Sequence, residues 1–505
     1  MKKPNILLVM ADQMAAPATP WHGNSIVKMP HLSGLAETGV VFDSAYCNSP
    51  LCAPARYVMM AGRLPTRMGA LDNASEFSAE IPTFAHYLRD SDYRTVLSGK
   101  MHFCGPDQLH GFEQRLTTDI YPADFTWTPN WRDPEQKLHW FHNMDDVLQA
   151  GQCFRSNQLD YDDEVIFNAR RFLFDHARGN DERPFCLVAS MIHPHDPYIT
   201  LPKYWDLYEG ADINLPNVRL NEETEDIHSG RLRRIYGADE VEVSDEQIRR
   251  VRRAYYGSMS YVDEQVGALL QALRECGYAD NTIVVFTADH GDMLGERGLW
   301  YKSSFHEWSA RVPLIVHAPA EFSPARVDAS VSLVDILPTL ATIGNGGEEP
   351  EYFTPIEGRS LIPQLSGGVG HDEAIGEYFG EGVSYPMFMI RRGRYKYIGS
   401  REYPCQLFDV SADPDEVNDL VGSDTHKDIV EGFRTEMNDR WDAEAWREVA
   451  IESQDRRLAI GDILKIGVNT PWDYYPGRDY SREYVRNTVD LWELEGRSRF
   501  PRFGS

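Results

Sequence analysis

One cysteine in this chain stands in a run that suggests chemistry rather than structure. Cys52 lies in the segment Leu51-Cys52-Ala53-Pro54-Ala55-Arg56. No second cysteine or histidine stands at the spacing of a zinc site, and Cys47 is too close in sequence for an unstrained disulfide. The pattern Cys-x-Pro-x-Arg therefore calls for an explanation other than metal ligation or cross-linking by the thiol.

Other polar residues follow short apolar runs of strand length. The runs are rich in Val, Ile, Leu and Phe and do not alternate with polar residues, which is typical of strands buried on both faces of a parallel sheet; they cover residues 6–10, 95–98, 185–190, 283–287 and 312–317. Directly after the first four runs stand Asp12, Lys100 and His102, His193 and His195, and Asp289 and His290. Because open α/β sheets bind ligands at the carboxyl edge of their strands, we expect these side chains to meet there.

Two of these strand ends carry possible ligands for a metal ion. Asp12 with Gln13, and Asp289 with His290, supply two carboxylates, an amide and an imidazole. A set made mostly of oxygen donors suits calcium or magnesium better than tetrahedral zinc. Either pair alone is equally well explained as a cap at the start of the next helix. Together they predict a divalent-metal site.

The lysines near these strand ends favour an anion site. Lys100 directly follows a buried strand and stands two residues before His102. A cation in that place is suited to an anionic ligand. Lys302 alone is weaker evidence for an anion site. In the run His193-Pro194-His195-Asp196-Pro197, we expect one histidine to belong to a capped turn.

Composition limits the class of partner. The 505 residues include 50 basic and 78 acidic side chains, giving a net charge of -28, which argues against nucleic acid or an anionic membrane as the main partner. No segment approaches the roughly 20 apolar residues of a membrane span. The seven cysteines are odd in number and scattered, and the apolar N-terminal run is too short for a signal peptide. We therefore expect a cytoplasmic protein.

The pattern of elements divides the chain into three parts. Residues 1–368 alternate strand runs with helical patterns, which predicts a catalytic α/β domain with a central sheet. Residues 369–457 contain a hairpin pattern and one long charged helix from about 427 to 457, which predicts a smaller α+β domain. Residues 458–505, rich in Tyr, Trp, Arg and Pro, are expected to form an arm on the body or on a neighbouring subunit.

In its motifs the chain resembles a type I sulfatase of the alkaline phosphatase superfamily. The resemblance rests on segments that follow one another in that family's order: Asn5 to Asp12, Cys52 to Arg56 with Ala61-Gly62-Arg63, Gly99-Lys100, Ala288 to Gly291, and Leu407 to Pro414. It implies a large mixed sheet flanked by helices. It also implies that a formylglycine-generating enzyme oxidises Cys52 to an aldehyde, whose hydrated form is the nucleophile.

The resemblance also implies a role for each candidate residue. The metal ligands would be Asp12, Gln13, Asp289, His290 and the modified Cys52. Arg56 would hold the nucleophile, one helical turn away. The sulfuryl oxygens would be clamped by Lys100 and Lys302. His102 would act as the base on the second hydroxyl, and His193 as the acid at the leaving oxygen.

At two positions the chain departs from the commoner family pattern. Many members carry a second Asp in place of Gln13 and Asn in place of His290. Calcium is the expected ion, with magnesium and manganese as alternatives. The same two residues resemble phosphonate monoester hydrolases. Those enzymes tend to carry Tyr and Thr where this chain has Lys100 and His102, so the Lys/His pair favours a sulfatase.

Within the sulfatases the chain is similar to choline sulfatases, notably in residues 116–125, 293–300 and 471–473. That similarity implies an ammonium pocket of Trp127, His142 and Glu381, with Asn73 near the sulfate. A quaternary ammonium cannot donate a hydrogen bond, so an aromatic face and a carboxylate suit it. For most of the aromatic residues between 121 and 141, a place in the core is the simpler interpretation.

These observations predict hydrolysis of choline sulfate to choline and sulfate. An arylsulfatase or phosphonate monoester hydrolase on the same machinery is one alternative, and a quaternary-ammonium-binding protein without activity is another. Similar enzymes form homodimers or homotetramers, and the arm after Leu458 suits such contacts.

Overall fold

A large sheet with a buried central strand organises the first part of the protein. The structure is a computed structural model that describes residues 3–223, 225–477, 480, 484 and 490–501. The strand Asn5–Ala11 is completely buried and pairs in parallel with Phe185–Ser190 on one side and Thr282–Ala288 on the other. Four of the five apolar runs of the sequence lie wholly in strands of this sheet, and the fifth, 312–317, contributes the strand Leu314–His317.

The sheet is mixed, as the resemblance to type I sulfatases implied. Its strands, in order across the sheet, are Ala325–Val327, Val40–Phe42, Leu314–His317, Thr282–Ala288, Asn5–Ala11, Phe185–Ser190, Arg94–Gly99 and Gln114–Arg115. The apolar run of residues 312–317 was expected to be parallel to the other runs, and this is wrong: Leu314–His317 is antiparallel to Thr282–Ala288. After Ala288 the chain remains at the carboxyl edge of the sheet. The next strand therefore begins at that edge and runs in the opposite direction to Thr282–Ala288.

Helices pack against this sheet in two groups. Pro30–Thr38, Asn157–Arg178 and Asp245–Glu275 contact one another, and Cys52–Ala61, Phe84–Asp90 and Ile336–Gly344 form the second group. The remaining helices of this part are shorter or lie in the connections: Pro65–Met68, Asp145–Leu148, Pro202–Trp205, Ile227–Tyr236, Glu307–Ala310 and Ile362–Leu365. Small two-stranded pairings join Ala45–Tyr46 to Val331–Ser332 and Gly151–Gln152 to Ile199–Thr200.

A second, antiparallel sheet follows in the sequence. Its four strands, in order, are Glu373–Tyr378, Met387–Arg392, Tyr395–Ser400 and Gln406–Asp409. The hairpin expected around Arg392-Gly393-Arg394 is confirmed by the pairing of the second and third strands. The helix Lys427–Arg440 packs on the third strand, with Phe433 stacked on Tyr397 at 5.7 Å between ring centroids.

The single helix predicted from about 427 to 457 is wrong, because the chain forms two helices. Lys427–Arg440 ends at Trp441, which is extended and buried against Phe388 at 4.2 Å between ring centroids. Asp442 then accepts a hydrogen bond from the Ala445 N–H and caps a new helix, Ala443–Leu464. The tertiary contact of Trp441 thus overrides the helical pattern.

The last segment is described in part. The helix Ala443–Leu464 continues past residue 458, where the arm was expected to begin, and a further short helix spans Leu491–Ser498. Residues 478–479, 481–483, 485–489 and 502–505 of the expected arm lie outside the described residues. Across the part of the chain that the structure describes, no helix combines the length and apolar character needed to cross a bilayer. All seven cysteines are free thiols.

Candidate active site

Cys52 is the first residue of a completely buried helix. All ten residues of Cys52–Ala61 are buried, and the helix contacts both Phe84–Asp90 and Ile336–Gly344. The N–H of Ala53 has no partner within the helix, and it donates to Asn73 Oδ1 at 3.0 Å. Asn73 therefore holds the start of the helix, and with it the backbone of Cys52.

The carboxyl edge of the sheet brings a group of four ligand-type side chains together. Asp12, Cys52, Asp289 and His290 each offer one atom, and these atoms lie within 4.8 Å of one another. Cys52 Sγ is 3.1 Å from His290 Nε2 and 4.0 Å from Asp12 Oδ1. The group is buried, and two of its members are carboxylates, so its donors fit a hard divalent cation.

Gln13 lies beside this group with its side chain shared among several partners. Its backbone N–H donates to Asp289 Oδ1 at 3.0 Å, and its Oε1 accepts from Lys302 Nζ at 2.7 Å. Its Nε2 donates to Asp196 Oδ1 at 3.0 Å and to Asp292 Oδ2 at 2.7 Å. An amide oxygen has two lone pairs, so the contact with Lys302 leaves one for a cation.

A buried guanidinium joins the two carboxylates. Arg56 donates from Nε to Asp289 Oδ2 at 2.8 Å and from Nη2 to Asp12 Oδ2 at 2.9 Å, and Lys100 Nζ also contacts Asp12 Oδ2. Burial by itself would raise the pKa of Asp12, but the charges of Lys100 and Arg56 hold it well below its usual range. Asp12 is therefore ionised, and its charge is largely balanced by protein cations.

Thiol chemistry at Cys52 is suppressed by its surroundings. Burial, and then the neighbouring charge of Asp12, raises the pKa of the Cys52 thiol to about 12. In this structure residue 52 is the unmodified cysteine, and its Sγ stands where the oxygens of a hydrated aldehyde would be.

Several residues around this edge have strained backbone. Among the described residues, nine non-glycine residues have positive φ, including Gln13 at 62°, His102 at 57°, Tyr301 at 65° and Ser303 at 74°. Such conformations are unfavourable for residues with a side chain and are found most often at functional sites. Gly99, just before Lys100, has φ of 111°, and a Cβ there would come within 2.0 Å of the Ser190 carbonyl oxygen.

Lys302 and His195 form a second cationic pair. Lys302 Nζ lies 3.0 Å from His195 Nε2, while His195 Nδ1 lies 2.7 Å from the Asp196 carbonyl oxygen. A neutral ring with its proton on Nδ1 donates to that carbonyl and accepts from Lys302 through Nε2. Burial and Lys302 lower the pKa of His195 well below its usual value, although Asp196 opposes them. The proton of the pair therefore lies on Lys302.

The structure places His195, rather than His193, at this edge. His193 was predicted to be the acid, but its Nδ1 lies 2.7 Å from Asp162 Oδ2, and its ring packs on Tyr261 at 5.0 Å between centroids. Both partners are on flanking helices, so His193 serves the packing of those helices. Two histidines two residues apart in a turn gave no sequence signal that would separate these roles.

His102 is a buried imidazole with no hydrogen bond to either ring nitrogen within the described residues. Its ring packs against both Tyr121 and Trp127, each at 5.4 Å between centroids. Burial and the neighbouring Lys100 lower the pKa of His102 to about 3, so the ring is neutral near pH 7. A buried polar group without a partner points to a ligand that completes its hydrogen bonds.

The far side of His102 carries aromatic rings. Trp127 packs against Tyr121 at 4.6 Å and stacks on Trp140 at 6.1 Å between centroids. Tyr121 lies over Lys100 Nζ at 4.2 Å and reaches His195 with its hydroxyl at 3.4 Å. The rings thus bridge the cationic edge of the sheet and the loop that carries Trp127.

Glu381 and His142 approach the same site from other parts of the chain. Glu381 follows the strand Glu373–Tyr378 of the second sheet, and its Oε1 accepts from Tyr236 and Ser303, each at 3.3 Å. Tyr236, one of these two donors, also packs on the His142 ring at 5.8 Å between centroids, so Glu381 and His142 share a neighbour in the site.

His142 Nδ1 lies 3.0 Å from Asp196 Oδ2, and its ring stacks on Tyr301 at 4.2 Å. Sequence reasoning did not select Asp196, Tyr236 or Tyr301 as site residues. Asp196 follows His195 directly and could have been found with it, whereas Tyr236 lies in a helix with no motif.

Comparison with known proteins identifies the family of the chain. A family model described as Sulfatase matches residues 4–346, well over half of the chain. The chain therefore belongs to the sulfatase family, as its motifs predicted. Two shorter models follow it, N-sulphoglucosamine sulphohydrolase, C-terminal, over residues 295–443 and Choline sulfatase enzyme C terminal over residues 448–500.

Curated relatives match nearly the whole chain. The chain is 43% identical to a protein named Choline-sulfatase from Rhizobium meliloti, over 99% of both chains. It is 28% identical to an Arylsulfatase from Clostridium perfringens, over 86% of this chain and 93% of that one.

Solved structures share the fold at lower identity. A phosphonate monoester hydrolase of Agrobacterium radiobacter superposes with a TM-score of 0.69 and 22% identity over 88% of this chain and 96% of that one. A putative sulfatase from Bacteroides thetaiotaomicron gives a TM-score of 0.66 and 24% identity over 87% and 92%.

Proposed function

We propose that this sulfatase hydrolyses choline sulfate to choline and sulfate. The observation that carries the proposal is the arrangement around Lys100 and His102: on one side Lys100 contacts Asp12 of the four-residue ligand group, and on the other the rings of Tyr121 and Trp127 pack on His102. The first side suits a sulfate ester and the second a quaternary ammonium. The 43% identity to a choline-sulfatase supports the same substrate.

Asp12, Asp289 and His290 would hold a divalent cation, with Gln13 and the modified Cys52 completing the set. We propose calcium, because oxygen donors predominate. The ion would supply positive charge to the sulfuryl oxygens. The hydrated aldehyde of residue 52 would supply the attacking hydroxyl, together with a second hydroxyl for sulfate release. Arg56, fixed by both carboxylates, keeps the nucleophile beside them.

The protein's own cations bind and orient the sulfuryl group. Lys100 and Lys302 are buried at the carboxyl edge, where low polarity strengthens their attraction for an anion. Lys302 carries the proton that it shares with His195, and it can pass that proton to the leaving oxygen. His102 is neutral and has an open nitrogen, so it can take a proton from a hydroxyl at residue 52.

The ammonium end is formed by Trp127, Glu381 and His142. The Trp127 ring offers a face to a cation, and Glu381 supplies a nearby negative charge. His142 is held by Asp196 and closes the wall between them. Asn73 fixes the start of the nucleophile helix at the sulfate end.

We further propose that a formylglycine-generating enzyme converts Cys52, that the protein works in the cytoplasm, and that it forms a homodimer or homotetramer. The seven free cysteines support a reducing compartment. The exposed apolar residues Ile463, Ile466 and Val468 near the end of the last long helix support contact between subunits.

A comparison of substrates tests the proposal. Matured protein is assayed with choline sulfate, nitrophenyl sulfate and phenyl phosphonate, and kcat/KM is compared. We expect choline sulfate to have the highest value. A higher kcat/KM for nitrophenyl sulfate or phenyl phosphonate would show that the proposed substrate is wrong. Binding of choline without turnover of any ester would indicate a binding protein.

A further inference from the structure

One face of the helix Ala443–Leu464 contacts both ends of the site. Ala450, Ile451, Gln454 and Arg457 are its buried residues, and Gln454 and Arg457 follow the adjacent pair Ala450 and Ile451 at spacings of three or four, as expected for one face of a helix. This face packs on the turn Phe125–Trp127. Neither Gln454 nor Arg457 belongs to the motifs that identify the chemistry.

Arg457 joins the loop of the sulfate end to the loop of the ammonium end. Its Nη1 and Nη2 donate to the two carboxylate oxygens of Asp72 at 2.6 and 2.7 Å, and Nη1 also donates to Thr128 Oγ1 at 3.3 Å. Asp72 precedes Asn73, and Thr128 follows Trp127. One guanidinium therefore fixes the separation of Asn73 and Trp127.

The sulfate-end loop has further support of its own. Asp72 Oδ1 accepts from the Ala74 N–H at 3.0 Å and from Ser75 Oγ at 3.1 Å, and Ser75 Oγ accepts from the Leu71 N–H at 3.0 Å. Asn73 is bound to the nucleophile helix. This loop therefore keeps its shape when the contact with Arg457 is weakened.

The ammonium-end loop depends on the C-terminal helix at a second point. Gln454 Oε1 accepts from the Trp131 N–H at 2.9 Å, and Trp131 Nε1 donates to the Gly380 carbonyl at 2.9 Å, directly before Glu381. The helix thus holds the loops of both Trp127 and Glu381. Nearby, the exposed pair Arg132–Asp455 links the same helix to the same loop at the surface.

We infer that Arg457 and Gln454 are positioning residues that set the distance between the sulfate end and the ammonium end of the site. They thereby select a substrate as long as choline sulfate. The inference rests on the proposed function. It predicts that weakening either contact shifts the Trp127 loop while the sulfate end stays intact.

The test uses Arg457→Lys and Gln454→Met in the full-length, matured enzyme. Lysine keeps a positive charge beside the buried Asp72 but cannot bind both of its oxygens and Thr128 together. Arg132→Met is the matched control, since an exposed ion pair contributes little. Steady-state kinetics compare choline sulfate with methyl sulfate, which is too short to reach Trp127, and thermal unfolding checks that each variant is folded.

For Arg457→Lys and Gln454→Met we expect KM for choline sulfate to rise about tenfold, with kcat/KM for methyl sulfate within about twofold of wild type. Arg132→Met should leave both substrates unchanged. Equal losses on the two substrates, or unchanged KM values in both variants, would overturn the inference. If wild-type enzyme turns over methyl sulfate but not choline sulfate, the proposed function fails instead.

Discussion

Lys302 Nζ lies 3.0 Å from His195 Nε2 and 2.7 Å from Gln13 Oε1, so one buried ammonium, the proposed proton donor, contacts both the neutral His195 ring and the residue beside the metal ligands. The pair holds a single proton next to the place of the leaving oxygen. Because an alkyl sulfate releases a strongly basic alkoxide, its cleavage depends on that proton more than cleavage of an aryl sulfate does.

His195→Ala should therefore lower kcat for choline sulfate by about 10²–10⁴-fold and affect nitrophenyl sulfate much less. Measurement of kcat for both substrates checks this. His193→Asn is the control, since His193 contacts Asp162 on a flanking helix, and its effect should be the same on the two substrates. A substrate-dependent effect in His193→Asn and none in His195→Ala would restore His193 as the acid.

Trp127→Ala should weaken binding of the ammonium group. The ring lies beside His102 and Tyr121 in the partly buried wall of the site, and loss of a desolvated cation–π contact costs about 1–2 kcal/mol. KM for choline sulfate should rise accordingly. KM is also measured for an uncharged alkyl sulfate of the same shape, in which carbon replaces the nitrogen. This comparison separates the effect of the charge from the effect of the shape. Equal increases in KM for the two esters would disprove an ammonium site at Trp127.

Removal of one carboxylate should abolish metal binding. Asp289→Asn keeps the size of the side chain but removes a charged ligand from the group of Asp12, Cys52, Asp289 and His290. We expect the wild-type protein to contain one divalent ion per chain and to unfold at a lower temperature after chelation, because the bound ion stabilises the folded state.

The Asp289→Asn variant should contain no ion, and its unfolding temperature should not respond to a chelator. Elemental analysis and thermal unfolding provide the two measurements. Asp263→Asn is the matched control, because Asp263 is also buried but accepts hydrogen bonds from the backbone N–H groups of His31 and Leu32, away from the group. An ion retained at wild-type occupancy in Asp289→Asn would contradict the assignment.

Buried His22 should make the protein less stable in acid. Burial, with Arg311 as a smaller cause, lowers the pKa of His22 to about 3, whereas the unfolded chain binds a proton near pH 6.5. The contribution of neutral His22 to the free energy of unfolding is therefore fully present above pH 6.5. It is lost as the pH falls toward 3, at about 1.4 kcal/mol per pH unit. Urea unfolding at pH 7.5 and 5.0 measures the loss.

The variant His22→Gln has no such group, so its free energy of unfolding should fall by about 2 kcal/mol less over this range than that of the wild type. Identical losses would show that His22 is not the group responsible. Activity is not required for this measurement, since His22 lies on the turn Pro20–His22, outside the site.

Local patterns were enough to predict the sheet and the catalytic edge. The strands ending before Asp12 and Asp289 are built around the continuous apolar runs 6–10 and 283–286, and burial on both faces leaves such runs few alternatives. The ligand group follows because those strand ends meet at one edge. The choice between His193 and His195 could not be predicted, because it depends on which ring meets Lys302 across the site.

Long-range contacts account for the features that local sequence patterns did not predict. The break at Trp441 requires Phe388 on the second sheet, and the contact between Arg457 and Asp72 joins residues 385 positions apart. Nothing in the sequence near Gln454 or Arg457 distinguishes them from the other polar residues of a charged helix. Their importance is visible only when the two loops are placed beside them.

The state of residue 52 tests the central claim most directly. Protein purified from its native host is digested, and the peptide that spans Cys52 is analysed by mass spectrometry alongside an activity assay. We predict a peptide lighter by a sulfur-for-oxygen exchange and two hydrogens, with turnover of choline sulfate in proportion to its fraction and none in Cys52→Ala. Full turnover by protein that contains only the unmodified thiol would contradict the account.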